Sequence, residues 1–203
     1  MRERRRRRTR QGQDAYTTLQ FNVELYGDSD QVLYITSPYL LAGKTTVAVE
    51  LANSFAAAGR TTALVEADLR NTPLTDYLPQ PVKKVGVSDY LQQKATLAEI
   101  IMPTNIERLQ VVFGGTRAQG ISELFNQQRL AELMGQLRNQ FDVVILNTPP
   151  LTGEIDTFLL SKQCDAGVVV LHRGQDRYRQ VRPLIQKLDA VGSKLLGCVL
   201  VDE

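Results

Sequence analysis

The sequence predicts an α/β fold: a doubly wound, mainly parallel sheet with helices on both faces, in three layers. Three observations predict it. Short segments that are apolar on both faces alternate with helical patterns, as in a parallel sheet buried on both sides. The segment Gly43-Lys44-Thr45-Thr46 opens a helix directly after the first such strand, and that context marks a phosphate-binding P-loop. Aromatic residues are 6% and Trp is absent, so the core must be aliphatic.

The elements follow in order. Residues 14–26 read as a helix, with Ala15, Leu19, Val23 and Tyr26 on one face and Asp14 as cap or first-turn acid. Residues 32–36 form the first strand and 43–58 a helix that Gly59 ends. Residues 61–65 are the second strand and lead into Glu66-Ala67-Asp68. Short helices fit 87–92 and 97–100, a strand 109–113 and a helix 129–138. The strand 142–146 runs into Asn147-Thr148-Pro149-Pro150. A helix at 155–162, a strand at 167–171, a helix at 176–191 and a strand at 196–201 complete the pattern. In such a sheet, ligands bind at the carboxyl ends of the strands.

The 203 residues suit one domain, with 43% hydrophobic and 23% charged residues as in an ordinary globular chain. Net charge is +2, unevenly placed: residues 1–10 hold seven arginines against Glu3 and carry +6, and the rest carries −4. The chain therefore divides into a basic flexible arm, 1–13, and a nucleotide-binding domain, 14–203. Three roles are open to Arg2–Arg10: a solvated arm, a contact with anionic phospholipid at about 1 kcal/mol per Arg, or nucleic acid. No basic face continues into the domain, so no specific nucleic-acid partner is expected. No apolar run approaches the roughly 18 residues of a membrane span, and the polar stretch after the arginines does not read as a signal peptide. Cys164 and Cys198 lie beside or inside apolar runs and are expected as buried free thiols. With His172 as the one histidine, nothing has zinc-ligand spacing.

The chemistry gathers at strand ends. At Ala42, Gly43, Lys44, Thr45 and Thr46, backbone N–H groups and a helix N-terminus attract phosphate oxygens. Lys44 supplies a point charge to the β- and γ-phosphates, and the Thr45 hydroxyl is placed to ligate Mg²⁺. The loop before it departs from the usual form. Pro38 stands where a Gly is usual, and Leu40 and Leu41 make a left-handed curl costlier, by about 1 kcal/mol for each residue so forced. Glu66 and Asp68 end the second strand, where acids suit a metal or a proton-accepting role. Asn147 ends a strand where Asp normally holds the Mg²⁺ hydration shell, and it carries no charge. ATP or ADP with Mg²⁺ is thus the expected ligand, held through Thr45, Asp68 and a weak Asn147, with possible weakening or loss of binding.

Several segments taken together resemble the cytoplasmic domain of bacterial tyrosine kinases of polysaccharide export systems, a branch of the MinD/ParA-like P-loop ATPases. They are the stretch from Asp14 to Gln20, Ile35-Thr36-Ser37 with Gly43-Lys44-Thr45-Thr46, Ala63 to Arg70, Gly86 to Leu91, Ser122 to Phe125, Phe141 to Pro150, and Asp165 to Arg173. The signature Lys early in the MinD-type loop is missing, which favours the kinase branch over a positioning ATPase. The resemblance implies phosphate and Mg²⁺ roles for Lys44 and Thr45. Asp68 and Arg70 match the second acid and the arginine of the family's Asp-x-Asp-x-Arg motif. Glu66 stands at the first acid, taken in the family as the base for the substrate tyrosine.

Departures accumulate alongside. The Pro-Gly-Glu-Gly loop is Leu40-Leu41-Ala42-Gly43, and the ring-forming Glu-x-x-Arg-x-x-Arg helix has lost both arginines, with Asp14, Thr17 and Gln20 in its place. Val201 replaces the Asn common after the last strand, and no tyrosine-rich tail is present. The expectation is a degenerate kinase-like domain with weak or absent turnover and a regulatory or scaffolding role in polysaccharide assembly. The alternatives are an active tyrosine autokinase and a MinD/ParA-like positioning ATPase. By the same resemblance, the domain works at the cytoplasmic face of the inner membrane, with a membrane adaptor or a fused transmembrane segment.

Overall fold

A computed structural model describes residues 2–26, 31–40, 43–78, 85–125, 128–152 and 155–202, with residues 2–13 and 31 as backbone only. Among them the order is α1 (Arg2–Tyr26), β1 (Gln31–Thr36), α2 (Lys44–Ala57), β2 (Thr62–Glu66), α3 (Leu74–Tyr77), α4 (Val87–Leu91), α5 (Leu97–Ile100), β3 (Ile101–Pro103) and β4 (Leu109–Val112). Then come α6 (Ile121–Phe125), α7 (Gln128–Gln140), β5 (Val143–Asn147), α8 (Asp156–Ser161), β6 (Ala166–His172), α9 (Tyr178–Ala190) and β7 (Leu195–Val201).

The strands form one sheet in the order β3-β4-β2-β5-β1-β6-β7. Every pairing is parallel except β3 with β4. Alternation along β1 shows the winding. Val32 and Tyr34 face the core under α4, α7 and α9, and Leu33 and Ile35 face the core under α1 and α2. The connection from β1 leads to β2 on one side, and that from β5 leads to β6 on the other. The strand order therefore reverses around β1 and β5, where a crevice opens at the carboxyl ends.

Helix α2 is the element that matters most for the site. Val47, Leu51 and Phe55 recur at four-residue spacing and are fully buried against the sheet. Each such side chain contributes about 1.5–3 kcal/mol by burial. The helix ends at Gly59 (φ 90°), whose N–H donates to the Ala56 carbonyl at 3.0 Å.

Four features differ from expectation. The α1 backbone is helical from Arg2, twelve residues before Asp14. Strand β3 and helices α3 and α6 were not expected; each is five residues or shorter, too short to show a period. Strand β7 is apolar but lies at an edge, with Leu200 58% exposed. Cys198 on β7 is accordingly exposed, which corrects its assignment as a buried thiol; Cys164 is partly buried, and both are free.

Candidate nucleotide site

The crevice is lined by the loop after β1 and by the ends of β2 and β5. The loop's first half is strapped to the β5–α8 connection. The Thr36 Oγ1 donates to the Pro149 carbonyl at 2.8 Å, Leu151 N donates to the Ser37 carbonyl at 2.8 Å, and Thr152 donates twice to the Pro38 carbonyl, from N at 3.0 Å and Oγ1 at 2.7 Å. Leu40 is 69% exposed, so its bulk lies on the surface of the loop. Ala42 and Leu41 lie outside the described residues.

Gly43 begins α2 at φ 113°, a conformation that favours glycine. A Cβ there would meet Val201 Cγ2 at 3.1 Å, so the end of β7 lies against the loop. No side chain caps α2, which leaves its first N–H groups to an anion.

Lys44 is 2% exposed. Its Nζ donates to the Thr148 carbonyl and to Asn147 Oδ1 at 3.2 Å, and it lies 3.8 Å from Asp68 Oδ2. Burial pulls the ammonium below the ordinary lysine value; Asp68 and then Glu66 oppose that pull. Thr45 is buried and Thr46 half-buried.

The acids are fully buried. Glu66 Oε1 accepts from Asp68 N at 3.0 Å and from Asn147 Nδ2 at 3.1 Å, and Oε2 accepts from Leu74 N at 2.7 Å. Desolvation pushes its carboxyl up to about 8, against the lowering by the Leu74 N–H, Lys44 and the Asp68 N–H. Asp68 Oδ1 accepts from Asn71 N at 3.2 Å and from Asn71 Nδ2 at 3.0 Å. The Asn147 Nδ2 also reaches Thr45 Oγ1 at 3.4 Å.

Lys44, Thr45, Glu66, Asp68 and Asn147 are therefore brought together. Arg70 is not. It turns to Asp156, its Nε 2.8 Å from Oδ2, and to Ser122. Three contributors went unread in the sequence: the Thr148 carbonyl, Asn71 and Asp156. Asn71 had a signal, since an amide three residues after an acid closes a local turn. Thr148 acts through a main-chain carbonyl, and Asp156 lies 86 residues from its arginine.

Comparison with known proteins agrees with this geometry. The AAA domain family model matches residues 42–195. Tyrosine-protein kinase CpsD of Streptococcus pneumoniae is 33% identical over 190 residues, covering 94% of this chain and 84% of the relative. The crystal structure of the chimerical protein CapA2B2 superposes with a TM-score of 0.86 at 31% identity, covering 92% of this chain and 82% of that one. In fold alone, the septum site-determining protein MinD complexed with Mg-ADP from Pyrococcus horikoshii OT3 is also similar, with a TM-score of 0.72 at 20% identity over 84% of this chain and 69% of that one. A P-loop crevice with Lys44, two acids and an amide at three strand ends lies on a chain so similar to CpsD that the chain belongs to the bacterial tyrosine-kinase family.

Proposed function

We propose that this chain is a kinase-like nucleotide-binding domain of a polysaccharide assembly and export system. It binds ATP or ADP with Mg²⁺ and turns over more weakly than a relative with Asp at position 147. Its role is then regulatory or scaffolding. The residues fit the ligand. An uncapped helix start at Gly43, the buried ammonium of Lys44 and the Thr45 hydroxyl suit phosphate and metal. The observation that supports weak turnover is Asn147, a neutral amide at the strand end beside Lys44. Removing one group that stabilises transition-state charge costs about 10²–10³ in rate.

Active tyrosine autophosphorylation is the second reading, favoured by the approach of Asp68 to Lys44 at 3.8 Å. A positioning ATPase ranks behind both, because the early loop Lys of that class is missing from this sequence. Titration calorimetry of ATP with and without Mg²⁺, on wild type and Lys44→Ala, separates the readings. Mg²⁺-dependent binding lost in Lys44→Ala, without phosphotyrosine formation, is the expected result. Efficient phosphotyrosine formation overturns the degenerate reading, and no heat at millimolar ATP overturns nucleotide binding.

The division into an arm, 1–13, and a domain, 14–203, belongs to the same proposal. So does residence at the cytoplasmic face of the inner membrane, with an adaptor or fused transmembrane segment supplying the anchor. Among the described residues, no helix is long and apolar enough to cross a membrane. The arginines at 2–10 give the arm affinity for anionic lipid. Co-sedimentation with anionic liposomes is expected to fall when residues 1–10 are deleted; an unchanged pellet removes the lipid role.

A further inference from the structure

Strand β7 pairs with β6 on one side and, among the described residues, with no strand on the other. Between Lys194 and Asp202 it runs Leu195-Leu196-Gly197-Cys198-Val199-Leu200-Val201, with no charge and no proline to keep another strand away. The Val201 carbonyl accepts from Arg173 N at 2.9 Å, so that residue turns its main chain to β6. The β6–β7 register is unbroken from Gly197 to Val201, and peptide groups alternate in direction along a strand. Cys198 and Leu200 therefore turn their N–H and C=O groups to the open side.

The surface around this open side is apolar. Leu200 and Cys198 are exposed. A groove of about 270 Å³ lies between α1 and the strand, with Leu19, Val23, Tyr26, Leu196 and Val199 in its walls. The charges stand at the two ends of β7 with opposite sign, Lys194 before it and Asp202 after it, and both are exposed. A two-fold axis through Cys198, the middle residue, reverses the strand onto itself. It sets Cys198 opposite Cys198, Leu196 level with Leu200, and Lys194 level with Asp202 at both ends. An axis through any other residue of β7 loses the match of charges.

We propose that β7 is a docking strand for a second copy of this chain, the two strands pairing antiparallel about Cys198 into one continuous sheet. The occupant is a second copy because the strand is its own complement in length and in charge, as an isologous contact requires. The two Cys198 main chains exchange a pair of hydrogen bonds, which sets their Cα atoms about 5.5 Å apart. That spacing lies inside the range of about 4.4–6.8 Å that a disulfide spans. The thiols project from a face of the sheet and not between the strands, so they stay open to reagents. The contact is independent of the nucleotide site, and its failure leaves the functional reading untouched.

Analytical ultracentrifugation of the full chain over a range of concentrations tests it, and should show a monomer–dimer equilibrium with no larger species. Lys194→Glu or Asp202→Lys alone sets like charges level at both ends and should weaken the dimer about 10-fold. The combined variant restores the match and should regain wild-type association. Asp202 also lies 2.9 Å from Arg173 Nε, but that pair is exposed and adds little to stability. Leu200→Pro removes an N–H that points away from β6, so it spares that ladder and should abolish the dimer. Diamide, which takes up both thiol hydrogens and their electrons, should join Cys198 to Cys198 in wild type and fail to do so in Leu200→Pro.

A single species at every concentration overturns the proposal. So does a dimer that ignores both charge reversals, or one in which mass spectrometry finds no Cys198–Cys198 link after diamide. Association through α1, where Phe21 and Leu25 are exposed, would persist in Leu200→Pro and vanish in Phe21→Ala with Leu25→Ala; that result is equally fatal. Should Leu200→Pro fail to fold, the charge reversals, confined to exposed side chains, decide the matter alone.

Discussion

Arg70 clasps Asp156 with two of its nitrogens, Nε to Oδ2 at 2.8 Å and Nη2 to Oδ1 at 3.4 Å, and Ser122 donates to the same Oδ1 at 2.6 Å. The clasp ties the loop after β2 to the start of α8. The Asp156 carboxylate is fully buried, while the Arg70 side chain is 37% exposed. Arg70→Ala leaves that carboxylate with Ser122 as its remaining partner in the clasp. Solvent screening limits the loss to about 1–2 kcal/mol, below the 3–5 of a fully buried pair. Denaturant unfolding reads this directly, and a variant as stable as wild type rejects it.

Glu66 sets a pH dependence of stability with a sign opposite to that of an ion-paired acid. Its carboxyl titrates near 4.5 unfolded and about 8 folded. Between those values the folded state binds the extra proton, so stability is fullest below pH 4.5 and declines as pH rises to about 8. Melting curves across this window should show a smaller decline in Glu66→Gln than in wild type. Parallel slopes for the two proteins would remove Glu66 as the source.

Asp142 behaves in the opposite way. The Thr61 N–H at 2.7 Å and the Thr61 hydroxyl at 2.9 Å donate to its Oδ2 and hold its carboxyl below the usual value of 3.8. Its contribution is present above pH 3.8 and is lost as pH falls through the depressed value. Asp142→Asn should weaken the protein at neutral pH and narrow the gap to wild type in strong acid. A gap that stays constant with pH contradicts this.

Gly43→Ala meets two obstacles, the left-handed φ of 113° and Val201 Cγ2 at 3.1 Å. The backbone term alone costs about 1–2 kcal/mol. Val201→Ala should return only the steric part, so the double variant stays weaker than Val201→Ala in both melting temperature and nucleotide affinity. Full recovery would mean that the backbone conformation costs nothing.

The two thiols should separate by accessibility. Cys198 is exposed on β7, while burial pushes the Cys164 thiol far up and its Sγ donates to the Leu160 carbonyl at 3.3 Å. Iodoacetamide on the native protein, read by mass spectrometry, should mark Cys198 first and Cys164 only after unfolding. Early labelling at Cys164 contradicts the assignment.

What the sequence made legible was local. Gly43-Lys44-Thr45-Thr46 follows a buried strand and starts a helix within one short window, so loop, helix and fold class could be read together. The tie between Glu66 and Asn147 spans 81 residues and depends on β2 and β5 becoming neighbours, which no short window contains. Read separately, a Glu for an Asp and an Asn for an Asp look like two losses. On one rung they are hydrogen-bonded neighbours, Asn147 Nδ2 donating to Glu66 Oε1 at 3.1 Å. Strand β7 misled for a different reason: an apolar run records composition and not the number of neighbours, so an edge reads like a centre.

The two borders of the sheet are unequal. At one, β3 is three residues long and closes with Pro103, which has no N–H to offer another chain. At the other, β7 runs for seven residues, and among the described residues β6 alone pairs with it. A sheet with a single receptive border accepts one neighbour and is then complete. Strand pairing between copies of this chain would stop at two, where a sheet open on both sides would continue into a fibre.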